Sequence, residues 1–200
     1  MTQPLFIAFV VFAAVMYLTP GPNNIIVLSS GLTYGFRPTI PAIAGITLGC
    51  AFMVAVAGIG FGAIFVAYPA LQKILKYAGA AYLIYLATRI AFAEPVAPGQ
   101  DNARGPMTFW GAVLFQWVNV KFWIMVIGTI TAYAGIARFP WNIVVQVAVC
   151  LLLGVVSTSI WTLSGHSLRP LMTSRRAVRA FKIVMAALLL ASLYPVFMDA

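Results

Sequence analysis

Acidic side chains are nearly missing from this sequence. Three Asp and Glu residues occur in 200 positions, beside one histidine and two cysteines. The acids are Glu94, Asp101 and Asp199, and none lies inside a long apolar run. No carboxylate is therefore available to pair with a cation inside those runs. A bound metal also lacks a donor set, since His166 stands alone and the methionines are unclustered. Cys50 and Cys150 have no CxxC spacing and no ligand neighbours, so they read as small buried hydrophobes. The first residues, MTQPLF, carry no basic stretch, so a cleavable signal is not expected.

Charge of either sign is scarce. Charged residues make up 8% of the chain, against about 25% in a soluble domain. Hydrophobic residues make up 63%, and the mean hydropathy is +1.01. Such a chain cannot cover its surface with polar groups, so its solvent is lipid. The net charge of +9 comes from cations spread between apolar runs. That pattern fits orientation signals at a membrane and excludes a nucleic-acid patch.

Six segments are long and apolar enough to span about 30 Å of hydrocarbon as helices. They run over 5–32, 40–66, 71–92, 108–134, 142–163 and 178–197, in a single transmembrane domain over 1–200. The alternation of a β-barrel is absent, so helices must satisfy the backbone. The longest connection, 93–107, is a polar linker with Glu94, Pro95, Pro98, Asp101 and Arg104. The loops after segments one, three and five hold eight cations: Arg37, Arg89, Arg104, Arg169, Arg175, Arg176, Arg179 and Lys182. The opposite face holds three, Lys73, Lys76 and Arg138. The richer face is expected in the cytoplasm, with both termini outside. Three segments per half permit two inverted three-helix repeats.

The stretch LTPGPNNIIVLSS, 18–30, interrupts the first segment. Pro20 and Pro22 have no N–H, so the carbonyls of Met16 and Leu18 lose their helical donors. Thr19 and Gly21, each before a proline, are pushed out of helical dihedrals. The helix is expected to stop near Leu18 and restart with Pro22 in its first turn. The restart points free N–H groups of Asn23, Asn24 and Ile25 at the break, which makes an anion site. A second constellation is FQWVNVKFW, 115–123. Lys121 has no other charge between Arg104 and Arg138. Burying it costs at least ~2.5–3.5 kcal/mol, and no carboxylate in an apolar segment can pair with it. It must therefore find backbone carbonyls, lose its proton or meet a charge brought by a ligand.

Depth links the two stretches. Asn24 lies eight residues from Leu32 and Asn119 lies eleven from Thr108, or roughly 12 and 16 Å from the inner end at 1.5 Å per residue. Free N–H groups and an ammonium suit a carboxylate. Asparagine amides, Gln116 and the freed carbonyls suit an ammonium. The expected ligand is a zwitterion, a small amino acid, held by Pro20, Gly21, Pro22, Asn23, Asn24, Gln116, Asn119 and Lys121.

At these residues the sequence resembles a known family. LTPGPNNIIVLSSGLTYGFR followed by AGITLGCAF, KYAGAAYLIYLATR, and FQWVNVK are similar to helices one to four of the LysE/RhtB amino-acid exporters. TPGPNN together with QWVNVK is most similar to the cysteine/O-acetylserine exporter subgroup. The resemblance implies six helices, an inner-membrane location and export of amino acids or derivatives. It also implies that Pro20, Pro22, Asn23, Asn24, Asn119 and Lys121 line the path. Relatives in that family commonly carry aspartate where Asn23 stands, so a proton-carrying carboxylate is missing here.

Other features have plainer readings beside functional ones. His166, at the inner end of segment five, is either a solvated interfacial histidine or a proton relay. Ser157, Thr158, Ser159 and Thr162 either line the cavity or bond their own helix. Gly45, Gly49, Gly58 and Gly62 form two GxxxG spacings on segment two, which serve packing within a protomer or a homodimer. Trp110 and Trp141 suit membrane interfaces. The expectation is a secondary transporter with no enzymatic activity and no cofactor, driven if at all by a proton gradient. A thiol–disulfide carrier or a metal exporter is the alternative. The first needs paired cysteines near the breaks, and Cys50 and Cys150 are expected far from them; the second needs ligands the chain does not have.

Overall fold

The computed structural model describes residues 3–61, 67–92, 105–172 and 174–191. Among these residues the chain is helical, with no strand.

The first segment is broken where the prolines fall. Helix α1, Gln3–Leu18, ends with Thr19 N–H on the carbonyl of Val15 (2.9 Å). Pro20 has no hydrogen to give to Met16, so the ladder stops. Gly21 is extended (φ −168°, ψ 176°), and Pro22 opens α2, Pro22–Tyr34. The two halves meet at a 50° bend. Gly35, at φ +91°, turns the chain directly into α3, Phe36–Val56. That helix starts a turn earlier than the expected Ile40. Pro38 is tolerated there because first-turn N–H groups have no intrahelical partner. A π-turn, Ala57–Phe61, continues it; the rest of segment two, 62–66, lies outside the described residues.

Helix α4, Pro69–Phe92, follows. The fourth segment, expected to be continuous over 108–134, is instead two helices. These are α5, Phe109–Val118, and α6, Val120–Ala132, bent by 71° at Asn119. Helix α7, Trp141–Leu168, outruns its expected end at Leu163. Helix α8 is Arg175–Ala191. Most of the polar linker, 93–104, and the end of segment six, 192–197, lie outside the described residues. The helices 36–60 and 141–168 are long and apolar enough to cross a membrane, and up to four spans result if each bent pair is one.

Glycines set the closest helix contacts. A Cβ on Gly31 of α2 would strike the Thr162 carbonyl of α7, and one on Gly165 of α7 would strike the Leu28 carbonyl of α2. The two glycines thus let α2 and α7 approach backbone to backbone. On α3, Gly45 abuts the Phe109 carbonyl and Gly49 abuts Val113, so the first GxxxG pair seats α5 within the protomer. Gly79 of α4 meets the Val118 carbonyl at the end of α5. One buried cluster joins Phe9, Ala13, Ile46, Cys50, Met125 and Cys150; a second joins Ile26, Leu83, Phe115 and Leu189. Ile7, Val11 and Val15 of α1 and Leu48 and Phe52 of α3 face outward, as a lipid-facing surface requires. Trp110 and Trp141 are also exposed, at the starts of α5 and α7.

Replacing Gly165 with Val pushes a side chain into the α2 backbone. Overpacking of this kind costs typically about 1–3 kcal/mol. Gly165→Val is expected to lower the melting temperature of the detergent-solubilised protein by several degrees. An unchanged melting curve contradicts the backbone contact.

Candidate binding site at two helix breaks

Helix α1 ends in carbonyls that no longer have helical donors, and three side chains from elsewhere supply them. Asn24 Nδ2 donates to the carbonyls of Tyr17 (2.9 Å) and Thr19 (2.8 Å). Ser157 Oγ, on α7, donates to the same Tyr17 carbonyl (2.7 Å). Lys121 Nζ, from the first turn of α6, donates to the carbonyls of Thr19 (2.8 Å) and Pro20 (3.2 Å) and to Thr19 Oγ1 (2.9 Å). The Thr19 hydroxyl passes its own proton to Val15 (2.7 Å).

All three donor positions of the ammonium are thereby filled, and it sits at the negative end of the α1 dipole. Of the three fates open to Lys121, the structure selects backbone carbonyls. Thr19 and Pro20 provide them, not Met16 and Leu18. Among the described residues, Met16 is reached by the Thr19 hydroxyl (3.3 Å).

On the far side of the break α2 begins. Ile25 N–H is taken by the Gly21 carbonyl (3.0 Å). The free N–H groups are therefore those of Asn23 and Asn24, two rather than the expected three, among the described residues. Gly21 is glycine for space and not for backbone freedom. A Cβ there would lie 2.8 Å from Lys121 Cδ and 2.9 Å from Nζ.

The second break has its own caps. Asn119 has extended dihedrals (φ −83°, ψ 96°), and its side chain accepts from Phe122 N (3.4 Å). Trp123 Nε1 reaches back across the bend to the Trp117 carbonyl (2.8 Å). An asparagine here does what a helix start needs. The Asn119 side chain is the one local signal for this break that the sequence carries.

A chamber of about 30 Å³ lies between the breaks. Gly21, Pro22, Asn23, Asn24, Asn119 and Lys121 line it. Six of the eight expected binding residues are thus brought to one place. Pro20 is exposed beside it and contributes a carbonyl to Lys121.

Gln116 is not in the wall. It is fully buried, accepts from Asn23 Nδ2 (2.8 Å) and from Cys50 Sγ (3.4 Å), and donates to Ala112 (2.8 Å). It holds Asn23 in place. His166 is exposed in the last turn of α7, against Gly35 and away from the chamber lining. Thr158 lines the chamber while its hydroxyl bonds the Gly154 carbonyl (2.6 Å), so both readings of that residue hold. Thr162 bonds its own helix (2.6 Å).

Met16 and Tyr17 of α1, Ile46 of α3 and Phe122 and Met125 of α6 also line the wall. Sequence reasoning missed them, since nothing sets them apart from other apolar-run residues. The cysteines are not where the sequence places them. Cys50 and Cys150 are free, buried and both against Tyr17, so they lie close to the first break and not far from it. Folding of α3 and α7 onto α1 brings them there.

Two half-helices that end inside an apolar bundle, with a cation between them, define a membrane transport protein of the broken-helix kind. Residues 14–192 match the model of the LysE type translocator family. The chain is 35% identical over 191 residues to the cysteine/O-acetylserine efflux proteins of Escherichia coli K12 and of Escherichia coli O1:K1. Each match covers 94% of this chain and 95% of the relative. The chain belongs to the LysE type translocator family. No solved structure matches it significantly.

Gly21→Ala is expected to displace Lys121 from its carbonyls at little cost in stability, because the neighbour that must move is the end of a flexible side chain. A melting temperature within a few degrees of the parent, with transport reduced severalfold, is the expected pair of results. Full transport by Gly21→Ala argues against a role for the Lys121 position.

Proposed function

We propose that the chain is a secondary transporter that exports small amino acids or close derivatives across the cytoplasmic membrane. In this reading it is one unit of six spans, built as two inverted three-helix repeats, with both termini outside. Each half begins with a bent pair of short helices, continues with a long apolar helix and closes with a further helix. That recurrence supports the repeat. The names of the relatives support the substrate class, and the spread of cations supports the orientation.

The observation that carries the site is the seat of Lys121. Its ammonium rests on the carbonyl end of α1, while the N–H end of α2 opens into the same chamber. We read Lys121 as holding the place of the substrate's own ammonium. An incoming amino acid takes over the Thr19 and Pro20 carbonyls with its amine. Lys121 then swings onto the carboxylate, which the N–H groups of Asn23 and Asn24 also face. The exchange leaves the charge of the chamber unchanged, because a zwitterion brings none. It also enlarges a space that, at about 30 Å³, holds roughly two waters and no amino acid. A proton gradient is the candidate drive, and no cofactor or nucleic acid has a part.

Lys121→Met removes the charge and keeps the bulk. In proteoliposomes loaded with labelled cysteine or O-acetylserine, this variant is expected to insert normally and export at least about tenfold more slowly. Tenfold corresponds to 1.4 kcal/mol, the low end for a hydrogen bond to a charged group. An analogue lacking the amine should not be carried by the parent. Undiminished export by Lys121→Met refutes the assigned role.

A further inference from the structure

A second cavity, about 260 Å³, lies at the opposite end of α2 from the break. The ends of several helices ring it: Thr33 and Tyr34 of α2, Leu86 and Ile90 of α4, Met107 before α5, Arg169 after α7, and Val178, Phe181 and Lys182 of α8. All of these lie at the end that carries the majority of the chain's cations. Among the described residues, the charged members of its wall are Arg169 and Lys182.

Helix α2 connects this cavity to the chamber. Asn23, Ile26, Ser30 and Thr33 recur at spacings of three, four and three, so they share one face of the helix. Asn23 lines the chamber; Ile26, Ser30 and Thr33 line the larger cavity. Ser29, also in that wall, has a buried hydroxyl with no hydrogen-bond partner among the described residues. Buried hydroxyls ordinarily have one. Ile26 is the apolar member of the stripe. It packs in the cluster with Leu83, Phe115 and Leu189. Ile26 thus belongs both to the wall of the larger cavity and to this cluster, whose Phe115 precedes Gln116, the residue that bonds Asn23 of the chamber.

We infer that this cavity is a cytoplasmic antechamber that admits carboxylate-bearing solutes, with Ile26 and Phe115 as the closed gate to the chamber. The inference rests on the export reading for its direction. Arg169 draws an anionic group into a low-dielectric recess. Ser29 offers a hydroxyl for the same group. The polar stripe on α2 then leads to the N–H groups of Asn23 and Asn24 once the gate parts.

The test is accessibility of a cysteine at position 29. Ser29→Cys is probed in oriented vesicles with membrane-impermeant thiol reagents of matched size, one anionic and one cationic. The parent chain, whose Cys50 and Cys150 are buried, sets the blank. Modification is expected from the cytoplasmic face alone, with the anionic reagent faster by about tenfold, the lower end of electrostatic focusing in a cleft. Adding Arg169→Gln should shrink that preference severalfold. Complete modification should also stop efflux.

Modification from the outer face, an equal or reversed charge preference, or no reaction from either side overturns the antechamber. Full efflux after complete modification overturns its place on the route. Should the parent export no amino acid at all, the export reading falls, while the two reagents still decide whether the recess is open and anion-selective.

Discussion

The site is arranged around the carbonyl oxygens of Tyr17, Thr19 and Pro20, which have no helical donor where the chain breaks after α1. In lipid an unsatisfied backbone group costs several kcal/mol, and water is not there to help. The end of α1 meets this demand with Asn24 from across the break, Ser157 from α7 and Lys121 from α6. A local defect in one helix thereby enforces contacts among helices far apart in sequence. Lys121 is recruited from 102 positions away. The same contact solves its own problem, because a cation in hydrocarbon needs oxygen ligands as much as the carbonyls need donors.

The second break follows a different rule. No proline interrupts α5 and α6; the chain bends because Asn119 caps the new helix and Trp123 covers the old one. The bend turns the first residues of α6 toward the end of α1, and Lys121 is the second of these. Behind both breaks, Gln116 bonds Asn23, so the start of α2 and the end of α5 are held together. Glycines make the geometry reachable. Gly31, Gly165, Gly45 and Gly79 let α2 and α7, α3 and α5, and α4 and α5 approach more closely than side chains would allow.

Such a site is poised rather than filled. The ammonium of Lys121 is satisfied by groups that a ligand ammonium would satisfy equally well. A small chamber between two half-helices can exchange one cation for another at little electrostatic cost. By contrast, the apolar clusters that hold Tyr17 and Phe122 and, separately, Ile25 and Phe115 are buried, and motion of the half-helices must work against them.

Much of this was legible in the residues alone. The scarcity of charge and the length of the apolar runs determined a helical membrane chain. TPGP determined the first break to within a residue, because proline lacks the hydrogen a helix needs regardless of context. Lys121, alone among apolar neighbours, had to seek oxygen. Tertiary structure decided which oxygens it found, since these depend on how far α6 turns at Asn119. It also decided that Gln116 stands behind the site and that His166 stands apart from it. Cys50 and Cys150 came to lie beside Tyr17 for the same reason. Composition and local propensity act along the chain; the partners of a buried polar group are chosen by helices that meet only once the bundle has closed.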